Sequence, residues 1–572
     1  MAQITNHGVT RRNFVKGGLA ASALAALAAC GKKSDGGSAA SGDGAQASSD
    51  GTVKYYISNP DCIDAYNLNE DQGTQVGYVL FDSLTDFDYD ADKLVPKAAD
   101  SWEANDEATE FTFHLHEGAK FHNGEDVDAE SFVRGWSRVV NPSYGHSNAG
   151  VLDYHLALVE GYDECLADTT GKVMLSGCTA KDKYTFVVKL TKPYADFPYV
   201  AAHPALAPAP KAVDLAANDD NNKAALDAFY LAPIGNGPFQ MDGSWVDGQY
   251  INVKAFDDYY GDKPKVKAIQ FNIQKDVETA YREFTAGNYD VSEVPPASIS
   301  DALSQYGQAE DGYTATPGKQ VLTGAEVSVY YLNLNCQDKV LQDVDVRRAI
   351  SLAINRQAIC DTLYNGIRKP ADDILPPKIV GYKSGAWKYS KYDKDAAAKL
   401  LDAKYPANAD GKRDLKITIS YNPEGGHKEI MEMVQADLQA IGIDAQADTR
   451  EWKAILADYR SGNTQAGRLG WTADYPIADN FLYSLFVSTG IGGDNCSMFS
   501  DPEIDDLLNK ARNTVDDDER VKLMQEADEK IGDACPVAPI MYYAHSIVAS
   551  KKFKSFKFDA ARRNHMGAAE LA

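Results

Sequence analysis

Arg468 and Asp474 stand six positions apart, at the two ends of Arg468-Leu469-Gly470-Trp471-Thr472-Ala473-Asp474. If that segment is extended, their Cα atoms lie roughly 20 Å apart. The planar guanidinium fork suits a carboxylate, and the Asp474 carboxylate suits an ammonium. Between them, Gly470 and Thr472 could offer main-chain donors and acceptors to a second extended chain, a pairing blind to side-chain identity. Trp452, Trp471 and Tyr475 supply aromatic walls nearby. His427 heads a run with helical spacing, where unsatisfied backbone N–H groups and the helix dipole also favour an anion. A lone Asp or Arg is ordinarily a solvated surface charge, so the pattern carries more weight than either residue.

Bond-breaking chemistry finds less support. Neither a GxSxG nucleophile elbow nor an HExxH zinc helix occurs. An exported hydrolase is therefore set aside, and no enzyme activity, catalytic residue or cofactor is expected.

The elements that must position these residues alternate between strand and helix. Phe111, Phe113 and Leu115 repeat every second residue, as do Phe186, Val188 and Leu190, and both segments predict half-buried strands. Phe132, Val133, Trp136, Val139 and Val140 fall at helical spacing, and Asn141-Pro142 ends that helix. Val346, Ala349, Ile350, Ala353 and Ile354 signal another helix. Leu415, Ile417, Ile419 and Tyr421 alternate as a strand. The stripe Ile430, Met433, Val434, Leu438 and Ile441 follows, with Gly442 placed as its cap and Ile443 opening a new extended segment. That unit predicts a parallel pair of strands joined by a crossover helix. The fold class is α/β with mixed sheets in several lobes.

A chain of 572 residues exceeds one hydrophobic core and predicts two or three domains. Its net charge of -26 argues against a nucleic-acid partner, since phosphates require a basic surface. Thr10-Arg11-Arg12-Asn13-Phe14-Val15-Lys16 looks like a twin-arginine export motif, with Arg11 and Arg12 as its pair. A short apolar run then ends in Leu27-Ala28-Ala29-Cys30, which resembles a bacterial lipobox with Cys30 as the lipidated residue. Residues 1–29 are thus expected to be an export signal, and 30–51 a lipidated Cys with a flexible, Gly- and Ser-rich tether. The expected location is the cell membrane, lipid-anchored, on the extracytoplasmic face. Beyond Cys30 the seven remaining cysteines form no CxxC pair. Cys165 and Cys178 flank a Gly-containing loop and are the first choice for a disulfide, worth ~3 kcal/mol through loop closure.

Five separated segments resemble the extracellular solute-binding proteins, family 5, which include bacterial oligopeptide-binding lipoproteins. They are Ala99-Asp100-Ser101-Trp102-Glu103 running on to Gly124, then Pro233-Ile234-Gly235-Asn236-Gly237-Pro238-Phe239, and Asp345 to Arg356. Tyr421-Asn422-Pro423-Glu424-Gly425-Gly426-His427-Lys428 and the stretch Glu451-Trp452-Lys453 with Arg468 to Tyr475 complete the set. The resemblance implies a two-lobed periplasmic-binding-protein-like fold (type II, cluster C) with an extra domain on the first lobe. Transferred to this chain, lobe I comprises 52–81, 233–324 and 540–572, domain II comprises 82–232, and lobe II comprises 325–539.

The same resemblance implies a monomeric binding component of an ABC importer that passes short peptides to permease and ATPase subunits. In the family the residue matching Asp474 holds the peptide ammonium, while Arg468 and His427 are taken as the carboxylate partners from their own chemistry. A gap of about 20 Å, shortened by side-chain reach, takes a peptide of about three to five residues at ~3.4 Å each. Other family members carry dipeptides, opines, haem, sugars or nickel chelates, and a surface sensor on the same fold is the further alternative. Arg460 stands one place beyond the position near Tyr459 where oligopeptide binders carry another arginine, and Thr472 replaces a frequent cysteine. Neither that extra anchor nor that family disulfide carries over. His114, His116 and His122 could be taken for metal ligands, but they fall in the family's structural hairpin, so no metal is expected.

Overall fold

A computed structural model describes residues 51–144, 152–213, 220–423 and 426–572. Arg11, Arg12, Cys30 and residues 31–50 of the expected tether lie outside the described residues. No helix among the described residues is long and apolar enough to cross a membrane.

Two large sheets organise the chain. The first has seven strands, with Thr52–Ile57 at its centre between Val291–Glu293 and Ala268–Ile273. Thr52–Ile57 runs parallel to Ala268–Ile273, so that Tyr55 sits beside Phe271, and their rings meet edge to face at 5.4 Å. Val53, Tyr55, Ile251, Val253, Ile269 and Phe271 bury one face of this sheet in a common core.

The second sheet has six strands in the order Lys369–Pro370, Val537–Ala544, Ala325–Leu334, Ala466–Thr472, Lys416–Tyr421 and Asp444–Thr449. Ala325–Leu334 is buried along nearly its whole length because both faces are covered. Val329 and Tyr331 point into one core, while Tyr330, Leu332 and Leu334 point into another. The expected strand, helix, strand unit is present: Lys416–Tyr421 and Asp444–Thr449 pair in parallel across the helix His427–Gln439. The last strand of this sheet extends to Ala544, so the chain leaves it five residues later than the expected boundary after residue 539. The reason is that Val537–Ala544 pairs along Ala325–Leu334 rather than with the first sheet.

A third, four-stranded sheet joins Ala99–Ala104, Glu110–Leu115, Thr185–Lys189 and Cys178–Asp182. Against it packs the helix Ala129–Val140, opened by an Asp128/Ser131 capping box and closed at Asn141, with Phe132, Trp136, Val139 and Val140 buried. The chain enters this region after Phe81 and returns through Pro233–Phe239. There the Asn236 carboxamide exchanges two 2.9 Å hydrogen bonds with the backbone of Asp82. A Cβ on Gly235 would fall 1.9 Å from the Leu80 carbonyl oxygen, so only glycine admits this approach. Arg138 adds a buried, bidentate pair with Asp64, both bonds 2.6 Å.

The Cys165 to Cys178 disulfide is corrected: all seven described cysteines are free thiols. Cys165, in the helix Tyr162–Leu166, turns its Sγ toward the carbonyls of Val173 (3.3 Å) and Ser137 (3.7 Å). Cys178 opens a strand in the same core. Burial pushes the Cys165 thiol up to about 12 and raises Cys178 as well, so both behave as small apolar groups.

The three histidines of the hairpin diverge. His114 lies 3.9 Å from Glu103, and His116 lies 2.9 Å from Asp100. His122 is half-buried, accepts from Gly235 N at 3.1 Å and bonds the Gly237 carbonyl at 3.1 Å. Burial lowers its pKa to about 4, which keeps it a neutral bridge to the returning segment.

The chain passes between the two large sheets twice. One passage is Thr323-Gly324, between Val321–Leu322 and Ala325–Leu334; the other is His545-Ser546, between Val537–Ala544 and Ile547–Ala549. They lie side by side: His545 N donates to Gly324 O, and Gly324 N donates to His545 Nε2, each at 3.2 Å.

Candidate functional site

The strand Ala466–Thr472 carries most of the candidate residues. On one side it is antiparallel to Ala325–Leu334, with Leu332 opposite Arg468, Tyr330 opposite Gly470 and Ser328 opposite Thr472. On the other side its ladder with Lys416–Tyr421 reaches only Gly467. Among the described residues that edge has no strand partner from Arg468 onward, which leaves main-chain groups able to accept an added strand.

Side chains fix the two ends. At one end, Arg468 donates Nε and Nη2 to Asn422 Oδ1 at 3.1 and 2.7 Å, and its guanidinium lies 4.5 Å from the Trp452 ring centroid. Trp452 opens the helix Trp452–Arg460, which places it beneath the strand. At the other end, Asn480 organises the turn: Oδ1 accepts from Trp471 Nε1 and Asp474 N, each at 3.1 Å, and Nδ2 donates to Asp474 Oδ2 at 3.2 Å. Asp474 is thereby held with its carboxylate toward the cleft wall. Ser328 Oγ donates to Thr472 Oγ1 at 3.1 Å, linking the two strands midway.

Two cavities of about 360 Å³ each follow the strand. One is lined by Trp452, Arg468, Gly470, Trp471, Thr472 and Tyr543. The other is lined by Thr472, Asp474 and Tyr475 together with Tyr78, Phe87 and Tyr199. Thr472 lines both, so the cavity at the guanidinium end and the cavity at the carboxylate end adjoin at this residue. His427 lines neither. Its Nδ1 lies 3.3 Å from the Tyr330 hydroxyl, and its ring packs on that tyrosine.

Charge in the cleft is arranged by compensation. Arg562 is paired with Asp71 at 2.9 Å and Glu326 at 2.8 Å, and Arg563 with Asp559 at 2.7 Å. His203 borders Asp474, but burial pushes its pKa down to about 3 and keeps it neutral. The Tyr475 hydroxyl lies 3.2 Å from that of Tyr194, which donates to Asp479 at 3.0 Å, and Arg512 grips Asp479 with two 2.7 Å bonds.

Sequence reasoning missed Asn422, Asn480 and Tyr543. Asn422 lies within the stretch Tyr421 to Lys428 but nothing local marks its role; Asn480 and Tyr543 carry no local spacing signal, because each meets the site from a remote segment.

Cavities beside an open strand edge, with a guanidinium at one end and a carboxylate just beyond the other, form the candidate binding site. Residues 93–493 match the bacterial extracellular solute-binding proteins, family 5 (middle region), and the chain belongs to that family of extracytoplasmic solute-binding proteins. It is 29% identical over 506 residues to the dipeptide-binding protein of Escherichia coli (strain K12), covering 85% of this chain and 88% of that one. It is 27% identical over 558 residues to heme-binding protein A of Haemophilus influenzae, covering 92% and 93%. The structure of the periplasmic binding protein DppA from Helicobacter pylori in complex with the peptide STSA superposes with a TM-score of 0.68 at 23% identity, covering 91% of this chain and 98% of that one. The periplasmic-binding-protein-like fold is thus shared.

Proposed function

We propose that this protein captures peptides of about three to five residues, end to end, and delivers them to the permease of an ABC importer. The observation that carries this reading is the unpartnered edge of Arg468 to Thr472, with a guanidinium at one end and Asp474 just beyond the other. A peptide laid along that edge pairs main chain to main chain, places its carboxylate at Arg468 and its ammonium at Asp474, and leaves its side chains to the two cavities. The relative named for dipeptides and the STSA complex support a peptide; the relative named for heme makes ligand identity a matter for experiment. Mass spectrometry of ligand retained through purification tests it, and a non-peptide ligand recovered at full occupancy would overturn it.

Length preference is set in this reading by Arg468, with His427 acting from behind Tyr330. Calorimetry with tri-, tetra- and pentapeptides should show that Arg468→Ala weakens some lengths more than others, and His427→Ala likewise. Equal losses at every length, or none, would mean that the carboxylate is held elsewhere.

Membrane attachment in this reading rests on Cys30 and export on Arg11 and Arg12. Cys30→Ser should release the protein into the medium, and replacing both arginines by lysine should leave it in the cytoplasm. Retention of the Cys30 variant at the membrane would remove the lipid anchor from the account.

A further inference from the structure

A third cavity of about 170 Å³, lined by Glu293, Glu326, Tyr364, Arg368, Tyr543 and Arg562 among others, adjoins the Asp474 cavity at Glu326 and Arg562. Tyr543 lines both this cavity and the one that holds Arg468. The Arg368 guanidinium lies over two rings, 4.1 Å from the Tyr364 centroid and 4.5 Å from that of Tyr543. A guanidinium held over aromatic rings keeps its in-plane N–H donors for an anion. Arg562, in the same cavity, is already satisfied by Asp71 and Glu326. Among the described residues no carboxylate or carbonyl accepts a hydrogen bond from Arg368. The cleft therefore presents two guanidinium groups beside Tyr543, Arg368 and Arg468, neither paired with an acid among the described residues.

We propose that Arg368 is a second anion seat and that the protein selects peptides whose last residue is acidic, with the terminal carboxylate at Arg468 and the side-chain carboxylate at Arg368. This rests on the peptide reading given above. An Asp or Glu side chain can approach the edge of a stacked guanidinium in its plane and form the paired, charge-assisted bonds that this geometry favours. The rest of the molecule works against such a ligand, since a chain of net charge -26 repels anionic peptides at long range. A preference for an acidic peptide must then come from a local cation.

Calorimetry on the mature, full-length protein with Ala-Ala-Ala-Glu and Ala-Ala-Ala-Gln is the test. The wild type should bind the Glu peptide about tenfold or more tightly, the range of a hydrogen bond to a charged group. Arg368→Gln should bind both peptides alike, at the wild-type affinity for the Gln peptide, and Arg368→Lys should recover part of the difference. Equal affinities in the wild type, or a preference that survives Arg368→Gln, would overturn the proposal while leaving the peptide reading intact. If the wild type binds neither peptide, the peptide reading falls and this proposal with it. The wild-type comparison needs no variant and so decides the matter even if Arg368→Gln fails to fold.

Discussion

Asp474→Ala is expected to lower the affinity for a free peptide by about two to four orders of magnitude. In the proposed complex the peptide ammonium is enclosed between the sheets against the Asp474 carboxylate. Removing one partner leaves the other charge without compensation, at a cost of about 3 to 5 kcal/mol. Converted to affinity, that is the loss stated. Asp474→Asn should lose nearly as much, because the amide keeps the shape and the Asn480 contact but not the charge. Acetylating the peptide should cost the wild type a similar amount and the variant far less, since the two changes delete the same interaction and do not add. Calorimetry on the four combinations measures this directly. Free and acetylated peptides binding the wild type equally well would dismiss Asp474 as an amine anchor.

The second large effect is on stability. Asp479 is almost fully buried and is held by Arg512 through two 2.7 Å bonds, while Arg512 packs against the rings of Tyr194 and Tyr483. Burial alone would depress the guanidinium, but Asp479 beside it raises it above its ordinary value, so Arg512 stays charged. Asp479→Ala should therefore destabilise its surroundings by about 3 to 5 kcal/mol, because it strands a buried cation. Combining Asp479→Leu with Arg512→Met should restore most of the loss, since an apolar pair carries no such penalty. Hydrogen exchange in the helix Ala478–Phe486 is the measurement of choice, as a chain with several cores need not unfold in one step. Equal protection in the single and double variants would show that the ion pair is not what holds this region.

The parts that were legible in the sequence are those governed by local periodicity. Phe111, Phe113 and Leu115 announce their strand because its one buried face demands an apolar residue at every second position. The stripe from Ile430 to Leu438 announces its helix for the matching reason. Arg468, Gly470, Thr472 and Asp474 could be placed along one cleft because a strand converts sequence spacing into distance. What was not legible depends on contacts between remote segments. Asn422 reaches Arg468 across 46 positions, and Tyr364 and Tyr543 close on Arg368 from two different elements. No period encodes such meetings. The boundary near residue 540 slipped because a strand that serves one sheet continues, after two residues, into another.

Those two-residue passages, Thr323-Gly324 and His545-Ser546, also determine what kind of motion the molecule can make. A Cβ on Gly324 would fall 2.2 Å from the Tyr313 ring, so this link is crowded as well as short. Two such links, tied to each other by hydrogen bonds, would confine any swing between the sheets to about one axis and oppose sliding or twisting. Opening would then be a change in one angle, and the ensemble awaiting a ligand correspondingly narrow. Little orientational freedom remains to be lost when the cleft shuts, so a larger share of each contact made by the ligand appears as affinity.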